Sequence, residues 1–268
     1  MADALNLHQI LSLVRETNKE FTSELYIPST PLPVPVLAMN ATHLKDIIKT
    51  AMNGVFAANG FNRTMYGIIT SIVDPSISPR DINTFDKVAI LLQLRMKNVT
   101  KPLEVDVKHG EDTMKVTVNL NDHIQRCRET ILPGTIFVTD GSCEIQLQYP
   151  SIQEEYAFDE YFHTTRISKV DETDRKAIRE LFGPLFIQEL TVYIKNLTIG
   201  ETVIDLTLLS PKDRIAVVEG LPGNLITSVI AQIDAAFGAP LQQITAVQVE
   251  IDGKEYTGSI PLSPALFA

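Results

Sequence analysis

The sequence predicts an α+β fold, in which mixed helical bundle segments are joined to antiparallel β-hairpins. Two periodicities predict it. In several stretches apolar residues recur at helical spacing behind an Asn, Asp, Ser or Thr suited to capping. In others they alternate with a period of two on either side of a Gly-containing turn. A third observation selects the class: the two patterns come in blocks instead of strict alternation, which argues against parallel βαβ units. With 268 residues, the chain is long enough for one large domain or two modest ones without a disulfide staple.

Residues 3–20 place Leu7, Ile10, Leu11, Leu13 and Val14 on one helical stripe behind Asp3. In "YIPSTPLPVPVLAM", Pro28, Pro31, Pro33 and Pro35 remove backbone donors and hold their neighbours extended, giving a strip suited to a sheet edge or a partner. From Asn40, "NATHLKDIIKTAMNGVF" is expected to be a helix capped by Asn40 or Thr42, with Leu44, Ile47, Ile48, Ala51, Met52 and Val55 facing inward. "NRTMYGIITSIV" follows as a second helix, stopped by Asp74-Pro75. Asn83 or Thr84 then caps "NTFDKVAILLQLRMKN", residues 83–98. Its Phe85, Val88, Ala89, Leu91, Leu92 and Leu94 cover more than half the circumference, so the helix should be largely buried.

After Pro102 the period becomes two, and "LEVDVKHGEDTMKVTVNL" is expected to fold as a hairpin. "NDHIQRCRETIL" predicts one short helix capped by Asn121 or Asp122, and "TIFVTDGSCEIQLQY" a second hairpin with Asp140-Gly141 at its tip. Helices are expected at 151–163, at 173–195 with a break at Gly183-Pro184, at 210–219 behind Ser210-Pro211, and at 222–237. "ITAVQVEIDGKEYTGSIPL" closes the chain as another Asp-Gly hairpin, followed by the apolar tail "ALFA". The expected organisation is an N-terminal extended strip with helices over 1–100, a β-hairpin region over 101–150, and a helical region over 151–268 that ends in the C-terminal hairpin.

Composition narrows function. A net charge of -10 repels phosphate backbones, and no basic patch offsets it, so no nucleic-acid partner is expected. No run approaches the ~20 apolar residues that span a bilayer, so membrane insertion is not expected. The N-terminus lacks the pattern of a secretory signal, and the Asn-x-Thr triplets at Asn40, Asn62, Asn98 and Asn196 would go unread in the cytosol. The 13 glycines are dispersed and form no phosphate-binding loop. None of His8, His43, His109, His123 and His163 lies in a catalytic motif.

Three groupings remain. His123 and Cys127, four apart, share a helix face, and Cys143 with Asp140 or His109 would complete a ligand set; this supports an alternative reading as a small cytosolic zinc protein or hydrolase. In "QEEYAFDEYFHTT" the acids Glu154, Glu155, Asp159 and Glu160 read as a solvated face, with Tyr156, Phe158, Tyr161 and Phe162 suited to docking a partner protein. Asp86 and Arg95 are nine residues apart, about 13 Å along a helix, too far to touch. Each suits its own helix end: the carboxylate meets unpaired N–H groups in the first turn and the cation meets carbonyls in the last. No catalytic residue, cofactor or metal ligand set is expected.

"FDKVAILLQLRMKNV" resembles the Phe-Asp, apolar run, Leu-x-x-Arg, Ser/Asn-Val signature of the baseplate hub and hub-assembly family of T-even-type contractile-tailed phages. "ELYIPST", "HLKDIIKTAM" and "YIKNLTIGETVIDLTLLSPKDRIAVVEGLPGNLITSVI" follow the family's order, and the likeness covers most of residues 24–268. The resemblance implies a non-enzymatic structural or assembly protein that binds other tail and baseplate hub proteins. It would act in the host cytoplasm during assembly, either retained in the tail baseplate or released as a chaperone. Oligomerisation is compatible with either. Phe85, Asp86 and Arg95 match as signature positions with a structural role.

Overall fold

The computed structural model describes residues 23–267 other than Pro31, Asn53, Glu172 and the side chain of Val55; the helix expected over 3–20 lies outside the described residues. The proline strip doubles back on itself. Its strands β1 (Ser23–Leu25) and β2 (Val34–Val36) pair antiparallel, and Leu25, Ile27, Val34 and Val36 turn into the larger of the hydrophobic cores. Helix α1 (Ala41–Thr50) starts at Asn40, whose side chain accepts from the His43 N–H. Helix α2 (Ala57–Ile72) begins five residues before Asn62, because Ala57 and Ala58 are good helix formers and Phe61 is buried on its inner face.

Helix α3 (Thr84–Asn98) is the axis of the molecule: every residue from Thr84 to Arg95 is buried. Strands β3 (Leu103–His109) and β4 (Asp112–Val118) form the first hairpin. Helix α4 (Leu120–Glu129) is capped by Asn119, two residues ahead of the expected position. Strands β5 (Ile136–Asp140) and β6 (Cys143–Leu147) form the second hairpin, with Gly141 at φ 58° in its turn. Helices α5 (Ile152–Thr165) and α6 (Arg175–Thr191) follow.

Two expectations for this region are corrected. Pro184 sits inside α6 without breaking it. Its ring cannot bond the carbonyl one turn back, but Glu180 is exposed and water can reach that oxygen. The segment then leaves the helix at Thr191 and forms an unexpected hairpin, β7 (Ile194–Ile199) and β8 (Thr202–Asp205), turned at Gly200 with φ 59°. The remaining elements are α7 (Pro211–Glu219), α8 (Gly223–Ile233), a π-helical turn at Asp234–Gly238, α9 (Ala239–Thr245), β9 (Ala246–Ile251), β10 (Lys254–Ser259) and a short turn at Pro264–Phe267.

The strands assemble into two antiparallel four-stranded sheets, ordered β4-β3-β10-β9 and β5-β6-β7-β8, beside the β1-β2 ribbon, which makes the fold α+β. The two hairpins between residues 101 and 150 thus join different sheets. The closing hairpin returns to pair β10 with β3, and Phe267 of the tail packs on Phe61 of α2. The first sheet and α1–α4 share the larger core; the second encloses Val138, Ile145 and Leu197 against Leu225 and Val229 of α8. Aromatic rings bridge the cores in sequence, Phe85 to Tyr149 (5.8 Å), Tyr149 to Phe237 (4.5 Å) and Phe237 to Tyr193 (5.3 Å).

Candidate functional site

Helices α3 and α5 begin side by side. The Thr84 N–H donates to the Pro150 carbonyl (2.9 Å) and the Ile152 N–H to the Ile82 carbonyl (2.8 Å). Each helix opens with a capping box, Asn83 with Asp86 and Ser151 with Glu154. Because the two starts are aligned, the next residue of each, Lys87 and Glu155, meet as an ion pair, and the Lys87 ammonium also donates to Asn62 Oδ1 (3.1 Å). One residue back on α5, Glu154 takes the Lys195 ammonium at 2.5 Å and the Arg214 guanidinium at 3.1 Å. Burial alone would raise the Glu154 pKa, but Lys195, the Ser151 N–H and then Arg214 together outweigh it and hold it below the usual value. Lys195, itself desolvated, is lowered to about 8 despite Glu154. Of the acids expected to form a solvated face, Glu154 and Glu155 are therefore the inner side of an ion-paired seam, and Glu160 pairs with Arg63 of α2. The sequence hid that seam because its cations lie on α3, β7 and α7, far along the chain.

The aromatic residues of the same helix divide between packing and surface. Phe158 and Phe162 are buried, the former under the Arg214 guanidinium at 5.4 Å. Tyr156 stacks on Tyr66 at 4.2 Å, and Tyr161 is half-buried. Phe158 and Phe162 therefore serve the core, and Tyr156 and Tyr161 are the partly exposed members of the four.

The signature positions sit at the two ends of α3. Asp86 accepts from the Asn83 N–H (2.9 Å), the Ser29 N–H (2.9 Å) and the Ser29 hydroxyl (2.6 Å), so it fastens the proline strip to the start of the helix. Burial raises its pKa, and the Ser29 and Asn83 hydrogen bonds pull the other way. Arg95 donates from Nη1 to the Val99 carbonyl (2.8 Å) and from Nη2 to the Lys101 carbonyl (2.7 Å), fixing the chain as it leaves. Phe85 opens the aromatic bridge between the cores. Between the ends, the Gln93 amide exchanges two hydrogen bonds with the backbone of Tyr26, at 2.8 and 2.7 Å.

His123 and Cys127 do share a buried helix face, but other tasks hold them. His123 Nδ1 donates to the Ile244 carbonyl at 2.5 Å, and burial pushes the Cys127 thiol up to about 12, out of the thiolate range. Cys143 and Asp140 belong to the other sheet, and His109 is turned to the Glu255 carbonyl at 2.9 Å. Among the described residues no three His, Cys, Asp or Glu side chains gather as a metal-ligand group, and no single helix is long and apolar enough to cross a membrane.

A cleft of 480 Å³ opens between α3, α5, the end of α6 and the α8–α9 segment. Its walls are mainly apolar, with Phe186, Leu190, Ile230, Ile233 and Leu241 prominent. Lys87, Glu155 and Asp159 bring the charged seam to its wall, and Glu189 and Asp234 add two more acids. Asp159 is pushed up to about 7, first by burial and then by Glu155, against the pull of Lys87, Asn62 and Asn59. Glu189 is also raised by burial. Sequence reading singled out Glu155 and Asp159, named Thr84 only as a cap and passed over Lys87 and Gln188, which look like ordinary helix residues until the helices are placed together.

No curated protein and no solved structure matches the chain. A family model described as T4 bacteriophage base plate protein matches residues 48–246, well over half of the chain, from the last turn of α1 to the first residue of β9. The match takes in all of α3 with Phe85, Asp86 and Arg95, and the cleft apart from Leu262. The chain therefore belongs to the T4 bacteriophage base plate protein family.

Proposed function

We propose that this baseplate-family protein is a structural or assembly component of the baseplate hub of a contractile phage tail, acting by protein–protein binding without catalysis. The observation that carries the reading is the pair Phe182 and Phe186, one turn apart on α6 and 55% and 47% exposed, with Phe186 on the wall of the cleft. Two phenylalanines left in water beside an apolar cleft are surface that a partner gains by covering. The ion-paired groups nearby serve the packing of α3, α5 and β7, which suits a rigid body that presents a surface. The partners are other tail and hub proteins, met in the host cytoplasm during assembly, and the protein is either retained in the tail baseplate or released as a chaperone.

Mass spectrometry of purified virions and of tail-protein complexes isolated from infected cells tests the reading. Stoichiometric presence in virions supports a retained component. Presence in hub precursors alone supports the chaperone form. Absence from both overturns the proposal.

A further inference from the structure

Three buried polar atoms belonging to the cleft lining have no hydrogen-bond partner among the described residues: Thr84 Oγ1 on α3, Asp159 Oδ2 on α5 and Gln188 Oε1 on α6. Their residues are 8%, 8% and 2% exposed. All three atoms accept hydrogen bonds, and two of them can do nothing else when Asp159 is ionised. A buried acceptor left without a donor is costly, and here three such acceptors belong to residues from three different helices that line one cleft. The charge balance agrees. Among the described residues, Asp159, Glu155, Glu189 and Asp234 line the cleft with one cation, Lys87, which is already paired with Glu155 and Asn62.

The occupant that fits both the acceptors and the acids is a cation with several N–H groups, carried on something apolar enough to cover Phe186, Ile230 and Leu241. An arginine side chain meets both requirements. Its guanidinium directs five donors in one plane and is more weakly hydrated than an ammonium, so it loses less on entering a half-apolar cleft. A phosphate, a nucleotide or an acidic peptide would meet repulsion from the acids.

We propose that the cleft between α3, α5, α6 and α8 receives a segment of a partner protein that inserts an arginine flanked by apolar residues, its guanidinium donating to Thr84, Asp159 and Gln188. The proposal rests on the reading of the protein as a binding component and specifies the site and the chemistry of the bound segment. The apolar flanks cover Phe186, Ile230 and Leu241 and exclude water from the ion pair, which strengthens it. The raised Asp159 falls when the guanidinium arrives, so binding releases a proton near neutral pH.

The blocked peptide acetyl-Ala-Leu-Leu-Arg-Leu-Leu-Ala-amide, and its counterpart with citrulline for arginine, are titrated into the intact 15N-labelled protein. Citrulline keeps the shape and removes the charge. The arginine peptide is expected to shift the amide signals of Thr84, Asp159 and Gln188 and to bind about tenfold more tightly than the citrulline peptide. Asp159→Asn should abolish that preference. Thr84→Val and Gln188→Met replace unpartnered groups by apolar ones of similar size, so they should fold and each weaken the arginine peptide several-fold; thermal melting run alongside verifies the fold. Equal binding of the two peptides, shifts confined to other surfaces, or no shift at millimolar peptide overturns the proposal, as does a self-association abolished by the same variants, which would make a second copy the occupant. If the protein co-purifies with tail proteins while the two peptides bind alike, the arginine site falls and the hub reading stands. If the arginine peptide binds at the cleft but no tail protein associates with the chain in infected cells, the hub reading falls and the site stands.

Discussion

Arg95 shows how a single side chain can hold a helix end without entering any chemistry. Its two terminal nitrogens each meet a different carbonyl, those of Val99 and Lys101, across the turn that carries the chain from α3 toward β3. A lysine keeps a buried charge there but is a point donor that cannot hold both carbonyls in the fork geometry. Arg95→Lys should therefore destabilise by about 2–4 kcal/mol, at least as much as Arg95→Met, which loses the hydrogen bonds but removes the buried charge. Urea unfolding of the two variants measures the order, and Lys clearly milder than Met would contradict this account. Gly258 is a second such position. A Cβ built there lies 2.6 Å from the Asp106 carbonyl oxygen, which is backbone and cannot swing aside. Gly258→Ala should force β10 away from β3 next to their Thr257–Lys108 pairing and cost about 1–3 kcal/mol by the same measurement.

Among the elements, α3 and α5 differ in what the sequence discloses about them. The Asn83 cap, the apolar run behind it and the acid and base at its ends all lie within residues 83–98, so the position of α3 and its burial follow from local pattern. The Asp140-Gly141 turn discloses the second hairpin in the same way. For α5 the local pattern misleads. Its acids look solvated because Lys87, Lys195 and Arg214 arrive from elements outside its own stretch, and its phenylalanines look available because the surfaces that cover them are equally remote. The β7–β8 hairpin was hidden by an apolar run continuous with α6, although Gly200 marks its turn. The cleft was hidden for the reason α5 was: it exists only between helices.

The placement of α5 also sets a pH dependence. Asp159 has its pKa raised from 3.8 to about 7 in the folded protein, so the folded state holds this proton more tightly than the unfolded chain. The resulting stabilisation is complete below pH 3.8 and is lost as pH rises through about 7, where the buried carboxylate must ionise. Glu154 runs oppositely: its lowered pKa contributes stability above its unfolded value that is lost as pH falls through the folded one. Asp159→Asn should remove the first effect only. Between pH 5 and 8 the melting temperature of the variant should change less than that of the parent, and at pH 8 the variant should be more stable by on the order of 1–3 kcal/mol, since no unpaired carboxylate is then buried. Parallel melting curves across that interval would exclude Asp159 as the titrating group.

At the scale of the whole molecule, the chain closes its first sheet with strands from its far end. The family match stops at residue 246, where β9 and β10 begin, yet β10 is an inner strand of that sheet and Leu266 and Phe267 lie in the core shared with α1, α2 and α3. Removing residues 246–268 would therefore leave β3 with an open edge and strip the cover from Phe61, in a region nearly two hundred residues earlier in the chain. The second sheet loses no strand, but it is joined to the damaged core through Phe85, Tyr149 and Phe237 and through the ion pairs of α5. Loss of the closing hairpin should accordingly unsettle both halves together. The truncated chain is expected to aggregate through the exposed β3 edge, or to remain soluble with weak hydrogen-exchange protection in α3 and in β6 and β7 alike. Hydrogen exchange followed by mass spectrometry distinguishes this from the alternative, in which β5–β8 keep parental protection and only the first sheet melts. That outcome would mean the aromatic bridge and the α5 seam are contacts between independent units and not the coupling that makes the cleft a rigid site.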